Sequence, residues 1–588
     1  MWVSREISYD HPSIFRHSHH NIAGVLDNHG FKFYNKSSQF LLLSERFSAQ
    51  PKCMGGFLMK IDRGFDHFFK RISSPVKYAF FSCLIVGYLV HLYCFTNLIP
   101  NTDGISRMFD YQQMTVSGRW SLHFASYINA FTQMPAAIGL FSIVLLSLSS
   151  AFIVDLLEFR NRYLAMFVGI VIAGFPALGY TFLYMFTASA YCLAILGAVL
   201  SVWFVHKGGK LNWAIGVMLL TVSMGIYQVY VSFAISLSIV AIIRELYKEE
   251  TSFKSVLQKG LSFISYLAVS ALLYCIILKI FLKIKNTELL SYLGMDEAFS
   301  NYPLQKIPGL IKTVYIQYLS FFFRIGTDAS FSTKYTVILH LLLLTGVIIL
   351  IVYCMVKVLA KERWRTIGMI AMLAILPLGM GFGQILSPFS PTSVIMKYSF
   401  CITYIFILVA VDAVDIDAKY IQKTTCTIMI VLSALVLSFV NTNNILYTTT
   451  TQAHRATESY LTRIMARIED CPDYTPGMEV VIIGTIPQTQ LQSQLESYNR
   501  VYHYSVPQHT VVVSNYHFYN YYNDWLNIPM PAPSEEVMIS VSNSPEFKAM
   551  PLYPEAGSVQ VHDGRVIVKI SETYTPKPEY VIDYENRK

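Results

Sequence analysis

The stretch KYAFFSCLIVGYLVHLYCFTNL, residues 77–98, sets the fold class, because it is almost wholly apolar and long enough to cross a bilayer as a helix. A hydrocarbon core of about 30 Å requires roughly 20 apolar residues in a helix. About eleven such stretches follow one another, at 77–98, 134–157, 163–182, 185–206, 211–226, 228–244, 257–282, 335–356, 364–386, 395–413 and 422–441. Only helices and closed barrels satisfy the backbone in lipid, so runs of this length predict a polytopic α-helical membrane protein.

Composition agrees with a membrane protein and excludes several other classes. Of the 588 residues, 54% are hydrophobic and only 14% are charged, whereas about a quarter of a soluble domain is charged. The net charge of +8 does not indicate nucleic-acid binding, because the basic residues cluster in short links at alternate span ends. The nine cysteines show no CxxC or paired spacing, so neither a disulfide framework nor a structural zinc site is predicted.

The basic links also predict the orientation. Lys and Arg residues precede the first span and fill alternate links after it, and positive links stay in the cytoplasm. The opposite side then holds the loop 99–133, the turn at Tyr227-Gln228, the loop 283–334 and everything after Asn441. We therefore expect a cytoplasmic N-terminus and a C-terminal domain on the opposite side of the membrane. Only Tyr227 separates 211–226 from 228–244, so one long kinked helix is the alternative there.

Three regions follow from this pattern. Residues 1–58 are polar and non-periodic and predict a disordered extension. Residues 59–445 form the predicted transmembrane domain, with the outer loops 99–133 and 283–334, and residues 446–588 a predicted α/β domain. The elements expected in this tail are a helix at 452–469, a strand at Val480–Gly484, a helix near 489–498, a strand at Val511–Val513 and a hairpin at Val559–Val568 with Asp563-Gly564 at its turn.

The loop 283–334 also contains a predicted amphipathic helix. Apolar residues recur at three- and four-residue steps, namely Leu304, Ile307, Ile311, Val314, Tyr318, Phe321 and Phe322. Such a helix lies in the plane of the membrane interface or packs on the bundle. Either arrangement covers part of the outer surface.

The first outer loop carries the candidate acid–base groups. Asp103 comes a few residues after the first span, and Asp110 is the alternative carboxylate. A carboxylate at the membrane surface can take the proton from an attacking hydroxyl within hydrogen-bond reach. A solvated aspartate in a turn before Gly104 is the competing interpretation.

Candidate substrate-binding residues lie in the same loop and at other outer span ends. Arg119 beside Trp120 suits a phosphate or a sugar, because arginine offers a fork of donors and tryptophan an apolar face; an interfacial Trp anchor is the alternative. Tyr227 and Gln228 interrupt an apolar hairpin, as a functional polar break or as a capping turn. Arg324 and Lys397 would neutralise a leaving phosphate or would snorkel to the interface. An aromatic run from Tyr516 to Trp525 suits sugar stacking, headgroup contact or core packing.

Several short motifs resemble the bacterial Gtr type II glucosyltransferases, the serotype-converting modifiers of O-antigen. They are the first outer loop with Asp103 and Ser117-Gly118-Arg119-Trp120, Phe175-Pro176-Ala177, the stretch Gly225 to Phe233, and Pro551-Leu552-Tyr553-Pro554 before the tail hairpin. The resemblance covers roughly residues 60–588.

The resemblance implies a membrane-embedded fold of the GT-C class in the bacterial inner (cytoplasmic) membrane, with the C-terminal domain in the periplasm. It implies an undecaprenyl-phosphate-linked hexose (most often glucose) as donor, and an O-antigen or similar surface glycan of lipopolysaccharide as acceptor on the periplasmic side. Asp103 matches the carboxylate that these enzymes place in their first outer loop. No cofactor is implied with certainty, and no ligand spacing supports a divalent cation. A lipid-linked sugar flippase or transporter, an O-antigen polymerase and a non-catalytic assembly or receptor protein are the alternatives.

Overall fold

The computed structural model describes residues 70–105, 108–290, 296–297, 302–324, 333–356, 362–389, 392–414, 418–487, 512 and 514–576. The chain divides into two units, Met1–Arg71 and Ile72–Lys588. Only residues 70–71 of the first unit are described, so the predicted extension 1–58 lies outside the described residues.

Within the described residues, nine helical segments are long and apolar enough to cross a membrane. They are Ser74–Thr96, Pro135–Leu156, Arg162–Leu183, Met185–Lys207, Gln228–Tyr247, Phe253–Ile284, Lys334–Cys354, Val394–Ala413 and Lys419–Glu469. Local chemistry explains several of their starts: Pro75, Pro135 and Pro176 occupy the first helical turn, where a missing N–H costs nothing. The Asn161 side chain caps its helix by accepting from two backbone N–H groups.

The other two predicted spans are also helical, but neither of them meets the length and apolarity of the nine segments above. The short helix Lys210–Ile226 has 17 residues. Arg363–Met380 begins with two arginines, contains Pro377 and is followed by the separate helix Phe382–Leu386. Tyr227 is extended and the 3₁₀ turn Gln228–Tyr230 follows it, so the region 211–244 forms two helices. The count of eleven spans stays a prediction.

The helical hydrogen bonding of the span Arg162–Leu183 is interrupted between Gly174 and Pro176. Three side chains from other segments donate to the carbonyls that this interruption leaves without helical partners. Proline has no N–H, so the series of backbone hydrogen bonds of the helix stops at Pro176 and the carbonyls of residues 172–174 have no helical partners. The Tyr398 hydroxyl donates to Ile172 O at 2.7 Å, His91 Nε2 to Ala173 O at 2.8 Å and Asn443 Nδ2 to Gly174 O at 2.8 Å. Because an unpaired carbonyl is costly in lipid, these contacts join three other segments to the broken helix.

The terminal helix, Lys419–Glu469, corrects the prediction of a separate tail helix at 452–469. It is one helix of 51 residues and passes through the predicted domain boundary at 445. The polar residues after Asn441 suggested an end of the span, but several of them are buried against the bundle. Tyr447 donates to His91 Nδ1 at 2.6 Å, and Asn443 and Thr450 are almost fully buried. No proline or glycine interrupts this stretch, so nothing local ends the helix.

The end of the terminal helix packs on a small mixed sheet. Strands β1 (Glu479–Ile483), β2 (Val559–His562) and β3 (Arg565–Lys569) lie in the order β1-β3-β2, with β1 parallel and β2 antiparallel to β3. The strand predicted at Val480–Gly484 is present as β1, and the hairpin predicted at Val559–Val568 is present as β2 and β3. The helices of the tail are Asn515–Asp524, Glu535–Asn543 and Pro545–Ala549. The predicted helix near 489–498 and most of the predicted strand at 511–513 lie outside the described residues.

Most of the predicted basic links meet at one end of the bundle. Arg244 donates to Asp412 at 2.8 Å, and both side chains are over nine-tenths buried. Lys248 bridges Glu158 and Glu245, at 2.9 and 2.8 Å. Arg365 closes the helix Val231–Tyr247 and the link after it by donating to four backbone carbonyls, those of Leu246, Lys248, Glu249 and Thr251. We call this group of side chains the ionic end.

Candidate active site

The candidate site lies where the first outer loop packs on the turn of the helical hairpin after the fourth span. Ser121 N donates to Gly225 O at 2.9 Å, and Ser121 Oγ to Val222 O at 2.9 Å. We call this contact between loop and turn, with the side chains around it, the recess. The short helix Lys210–Ile226 measures about 25 Å at 1.5 Å per residue, which is less than the roughly 30 Å of the hydrocarbon core, so we expect the turn at Tyr227 to lie below the outer membrane surface.

Gly118 makes the close approach of loop and turn possible. It follows the 3₁₀ turn Thr115–Ser117 and has φ +76°. Gln228 Nε2 donates to Ser117 O and to the Tyr274 hydroxyl, both at 3.0 Å, and Tyr274 donates to Gly118 O at 2.9 Å. A Cβ at residue 118 would lie 2.2 Å from Gln228 Nε2. The loop backbone therefore contacts the side chains of Gln228 and Tyr274 directly, and we call these two side chains the polar pair.

Arg119 is the cation of the recess. Its Nη1 donates to the Tyr191 hydroxyl at 3.0 Å, and its Cζ lies 4.6 Å from the centre of the Tyr227 ring. Tyr227 and Tyr191 stack at 4.8 Å with an 11° angle between their planes. The half-buried guanidinium is thus held over an aromatic face by a cation–π contact and a hydrogen bond. The predicted residues Arg119, Tyr227 and Gln228 meet here.

Trp120 has a different place from the sugar platform predicted for it. Its side chain is buried, one ring face stacks on Phe281 at 5.5 Å, and its ring edge lies where a Cβ on Gly225 would be. The residue packs the loop onto the helical hairpin. In this position it orients its neighbour Arg119 and leaves little ring surface for a ligand.

The two candidate carboxylates differ in exposure. Asp103 is exposed in the turn 101–104, which Asn101 closes by accepting from Gly104 N at 2.6 Å. Gln133 Nε2 fixes this turn by donating to Gly104 O at 3.0 Å. Asp110 is buried, and its Oδ1 accepts from Gln112 N at 2.7 Å. Solvent therefore reaches Asp103 directly, whereas Asp110 faces the interior of the loop.

The two predicted distal cations lie on other segments. Arg324 ends the helix Ile307–Phe323 with φ +56° and is exposed. Lys397 is buried in the segment Val394–Cys401, which contacts the turn Gln228–Tyr230. The structure thus places the segment of Lys397, but not Arg324 itself, beside the turn of the recess.

The predicted amphipathic helix is present as Ile307–Phe323, after a 3₁₀ turn at Leu304–Lys306. It packs on the bundle through a polar contact that its apolar pattern does not show. Gln317 is buried, and its Nε2 donates to Gln384 Oε1 at 2.8 Å while its Oε1 accepts from Thr392 Oγ1 at 3.1 Å. This network attaches the helix to the segment that precedes Lys397.

The tail contacts the first outer loop. Ile105 is completely buried in the hydrophobic core of the tail, and Trp525 Nε1 donates to Ile105 O at 3.0 Å. Most of the aromatic run forms that core, since Phe518, Tyr519 and Tyr522 are buried. The loop and the tail therefore share one end of the bundle. The ionic end lies at the other, because Glu158 follows the far end of Pro135–Leu156.

One described group of side chains is close enough to bind a metal ion, namely Glu158, His206 and Glu245 at the ionic end. Lys248 and Lys259 both contact the Glu245 carboxylate, at 2.8 and 2.9 Å. Two ammonium groups in this position oppose a divalent cation, so the group serves as an ion-pair network.

A family model described as glucosyl transferase GtrII matches residues 92–408. The chain belongs to this family. The GtrII match includes the whole first outer loop, the short hairpin and Lys397, and it ends before the terminal helix and the tail. Neither the curated proteins nor the solved structures contain a match to the chain. Membership of GtrII makes the chain a glycosyltransferase, and its apolar helices place that activity in a membrane.

Sequence reasoning missed Tyr191 and Tyr274, which complete the recess of this GtrII protein. Both lie within apolar spans, where the sequence does not distinguish a tyrosine that faces the site from one that faces lipid. Their place in the site follows only from helix packing, which brings the spans Met185–Lys207 and Phe253–Ile284 against the short helix.

Proposed function

We propose that the protein transfers a hexose, most simply glucose, from an undecaprenyl-phosphate donor to an O-antigen or similar surface glycan on the periplasmic side of the inner membrane. An acceptor hydroxyl oxygen attacks the anomeric carbon and forms the new glycosidic bond. The bond from that carbon to the phosphate oxygen breaks, and the electron pair leaves with the polyprenyl phosphate. The anomeric centre inverts, and an aspartate takes the hydroxyl proton.

Asp103 is our candidate for that base, because it is exposed and we expect its loop to lie on the side from which a glycan arrives. Arg119 is our candidate for the cation that receives the phosphate, because it is held over an aromatic face beside the short hairpin, whose turn we expect near the depth of a lipid headgroup. A guanidinium matches a phosphate with two donors, and its partial burial strengthens the attraction. Gln228 and Tyr227 hold the loop and the cation in position.

One observation carries the proposal: the guanidinium of the first outer loop, two stacked tyrosines and a glutamine converge where this loop packs on the turn of the short hairpin in a GtrII-family chain. An aqueous glycan and a lipid-borne phosphate can meet only near the interface. We expect the recess to lie at that depth, and the family match covers the segments that form it.

The test compares Asp103→Asn with Asp110→Asn in cells and in isolated membranes. Membranes receive an undecaprenyl-phosphate hexose with a labelled sugar, and transfer to purified lipopolysaccharide is measured. We expect Asp103→Asn to lower transfer by about 10²-fold or more at wild-type protein levels. Asp110→Asn keeps an oxygen that accepts from Gln112 N, so we expect a smaller loss.

The reverse pattern would assign the base to Asp110, and full activity in both variants would refute an aspartate base in this loop. A wild type that transfers no hexose from the lipid-linked donor would refute the donor assignment. Arg119→Lys completes the test: it keeps the charge but loses the fork of donors, and we expect a loss in turnover rather than in protein level.

A further inference from the structure

The turn that carries Asp103 is bonded to two distant parts of the chain. Gly104 O accepts from Gln133 Nε2 at 3.0 Å, and Gln133 lies just before the second span. Ile105 O accepts from Trp525 Nε1 of the tail, also at 3.0 Å. Two successive carbonyls after Asp103 are therefore held, one by the transmembrane bundle and one by the tail.

The side chain of Ile105 also anchors the turn in the tail. It is completely buried and belongs to a hydrophobic core whose other described members lie at Tyr460 and beyond. These members come from the terminal helix, from the strands β1 and β3 and from the helices of the tail. Because such a core is close-packed and responds even to small changes in volume, the turn cannot move away from the tail without opening a cavity.

Trp525 is itself held by contacts that lead back to the first span. Its ring stacks on that of Tyr521 at 6.3 Å with a 22° angle and lies 5.2 Å from the ring of His454 in the terminal helix. Tyr521 and His454 are hydrogen-bonded at 2.9 Å. Three residues earlier, Thr451 Oγ1 accepts from the hydroxyl of Tyr93, near the end of the first span, at 3.3 Å. The first span, the terminal helix and the tail therefore form one connected support for the turn.

This support matters for the proposed chemistry because Asp103 is exposed. A general base must lie within hydrogen-bond reach of the proton that it takes, and a displacement of about 1 Å can cost about 10²-fold in rate. Surface loops are more mobile than the elements they connect, so packing and hydrogen bonds are needed to fix the backbone of such a turn. The tail supplies both, and it lies outside the residues 92–408 that the family model matches.

We propose that the tail positions the candidate base: Ile105, buried in the tail core, and Trp525, bonded to Ile105 O, fix the turn from which the Asp103 carboxylate reaches the acceptor hydroxyl. Trp525 is a positioning residue, because it acts through the backbone of the turn. This assignment rests on the proposed function for its role in transfer, but the coupling of turn and tail is measured without transfer.

Two pairs of variants separate the contact with the turn from the stability of the tail. Trp525→Phe removes the N–H donor and keeps an aromatic ring; its control is Tyr522→Phe, which removes the hydroxyl that donates to Leu461 O at 2.8 Å in the same core. Ile105→Ala removes the anchor, and its control is Ile482→Ala, since Ile482 is equally buried in that core but lies on β1. Ile105→Val keeps most of the anchor and tests rescue.

Transfer from an undecaprenyl-phosphate hexose to purified lipopolysaccharide is measured with the full-length protein in reconstituted membranes, and kcat is corrected for the folded fraction. We expect Trp525→Phe and Ile105→Ala to lower kcat about tenfold with both KM values unchanged, because a displaced base slows the chemistry without removing a binding contact. Ile105→Val should stay within about threefold of the wild type, and both controls should match the wild type. Equal losses in Trp525→Phe and Tyr522→Phe would overturn the proposal, since any weakening of the tail would then explain them.

A double-mutant cycle tests whether Trp525 acts through Asp103. If it does, Trp525→Phe lowers kcat in the wild type but causes no further loss in an Asp103→Asn background, because the base that it positions is already absent. A further loss of about tenfold in that background would show that the two residues act independently, and it would overturn the positioning role.

Hydrogen–deuterium exchange tests the coupling without any transfer. We expect faster exchange of a peptide that contains residues 101–105 in Trp525→Phe and Ile105→Ala, and wild-type exchange of that peptide in Tyr522→Phe. A peptide that contains β1 reports on the tail core and should keep its wild-type rate in Trp525→Phe. Faster exchange of the turn in a protein that transfers no hexose would refute the proposed function and leave the coupling standing. Wild-type exchange of residues 101–105 in both Trp525→Phe and Ile105→Ala would overturn the coupling, whatever the transfer rates are.

Discussion

Replacing Gly118 with alanine tests whether the contact between loop and turn holds the recess together. The added methyl group would lie 2.2 Å from Gln228 Nε2 and 2.7 Å from the Tyr274 hydroxyl, closer than real Cβ atoms approach such groups. Both atoms belong to side chains fixed by hydrogen bonds. The loop must therefore lift or the polar pair must separate, and either movement displaces Arg119, the next residue.

The expected loss in the free energy of unfolding follows from these contacts. A φ of +76° costs alanine roughly 1 kcal/mol relative to glycine. Three hydrogen bonds are at risk, each with a net contribution of about 1 kcal/mol. We therefore expect Gly118→Ala to lower the free energy of unfolding by about 2–4 kcal/mol. Transfer should fall further than stability alone explains, because a displacement of about 1 Å in a positioned group can cost about 10²-fold in rate.

Gly564→Ala is the matched control. Gly564 has φ +73° in the turn of the hairpin β2–β3, where both central residues have positive φ, and no atom lies within 4 Å of the position of its Cβ, so this variant carries the backbone strain without the clash. Both variants are purified in nanodiscs, and thermal unfolding and hexose transfer are measured. If Gly118→Ala loses no more stability and no more activity than Gly564→Ala, the contact of loop and turn does not support the recess and our reasoning fails.

Three further predictions concern stability. Asn443→Ala removes the donor to the Gly174 carbonyl, and we expect a loss of about 1–3 kcal/mol in unfolding experiments. Asp412→Ala leaves the buried Arg244 without its carboxylate and should cost about 3–5 kcal/mol; adding Arg244→Met should recover part of this in a double-mutant cycle, and a purely additive result would contradict the pairing. Burial lowers the pKa of His517 in the tail to about 4, below its ordinary 6.5, so the unfolded tail binds more protons and stability is lost as pH falls from about 6.5 to about 4. Proteolysis of the tail should accelerate over that window in the wild type and less in His517→Phe.

The positions of the helices could be predicted because the bilayer imposes a length on every span. Each predicted span overlaps a helix, and the strand β1 and the hairpin β2–β3 lie within a residue or two of their predicted bounds. The continuous terminal helix could not be predicted in the same way. Its polar residues suggest an aqueous segment, and only the positions of His91 and Gly174 on other helices reveal that Tyr447 and Asn443 are satisfied inside the bundle.

The candidate site could be predicted in part, for a reason visible in its residues. Tyr227 and Gln228 interrupt an apolar hairpin, and Arg119 stands beside Trp120 in an outer loop, so their side-chain chemistry marks them in the sequence. Tyr191 and Tyr274 could not be recognised, because a tyrosine within an apolar span leaves no signal that separates a site residue from a lipid-facing one. The burial of Gln317 also could not be predicted, because its contact with Gln384 arises only when two segments far apart in the sequence pack together.

The short hairpin explains why the two kinds of group lie where they do. A polyprenyl-phosphate sugar presents its anomeric carbon at headgroup depth, whereas a glycan hydroxyl arrives from water. If the hairpin reached the surface, Arg119 would lie in solvent, where screening weakens its attraction for phosphate. Because the short helix measures only about 25 Å, we expect the guanidinium to lie below the membrane surface, while the carboxylate of Asp103 is exposed a few residues past the first span. On the proposed function, the same loop thus brings a cation to the depth of the donor and keeps a base on the side of the acceptor.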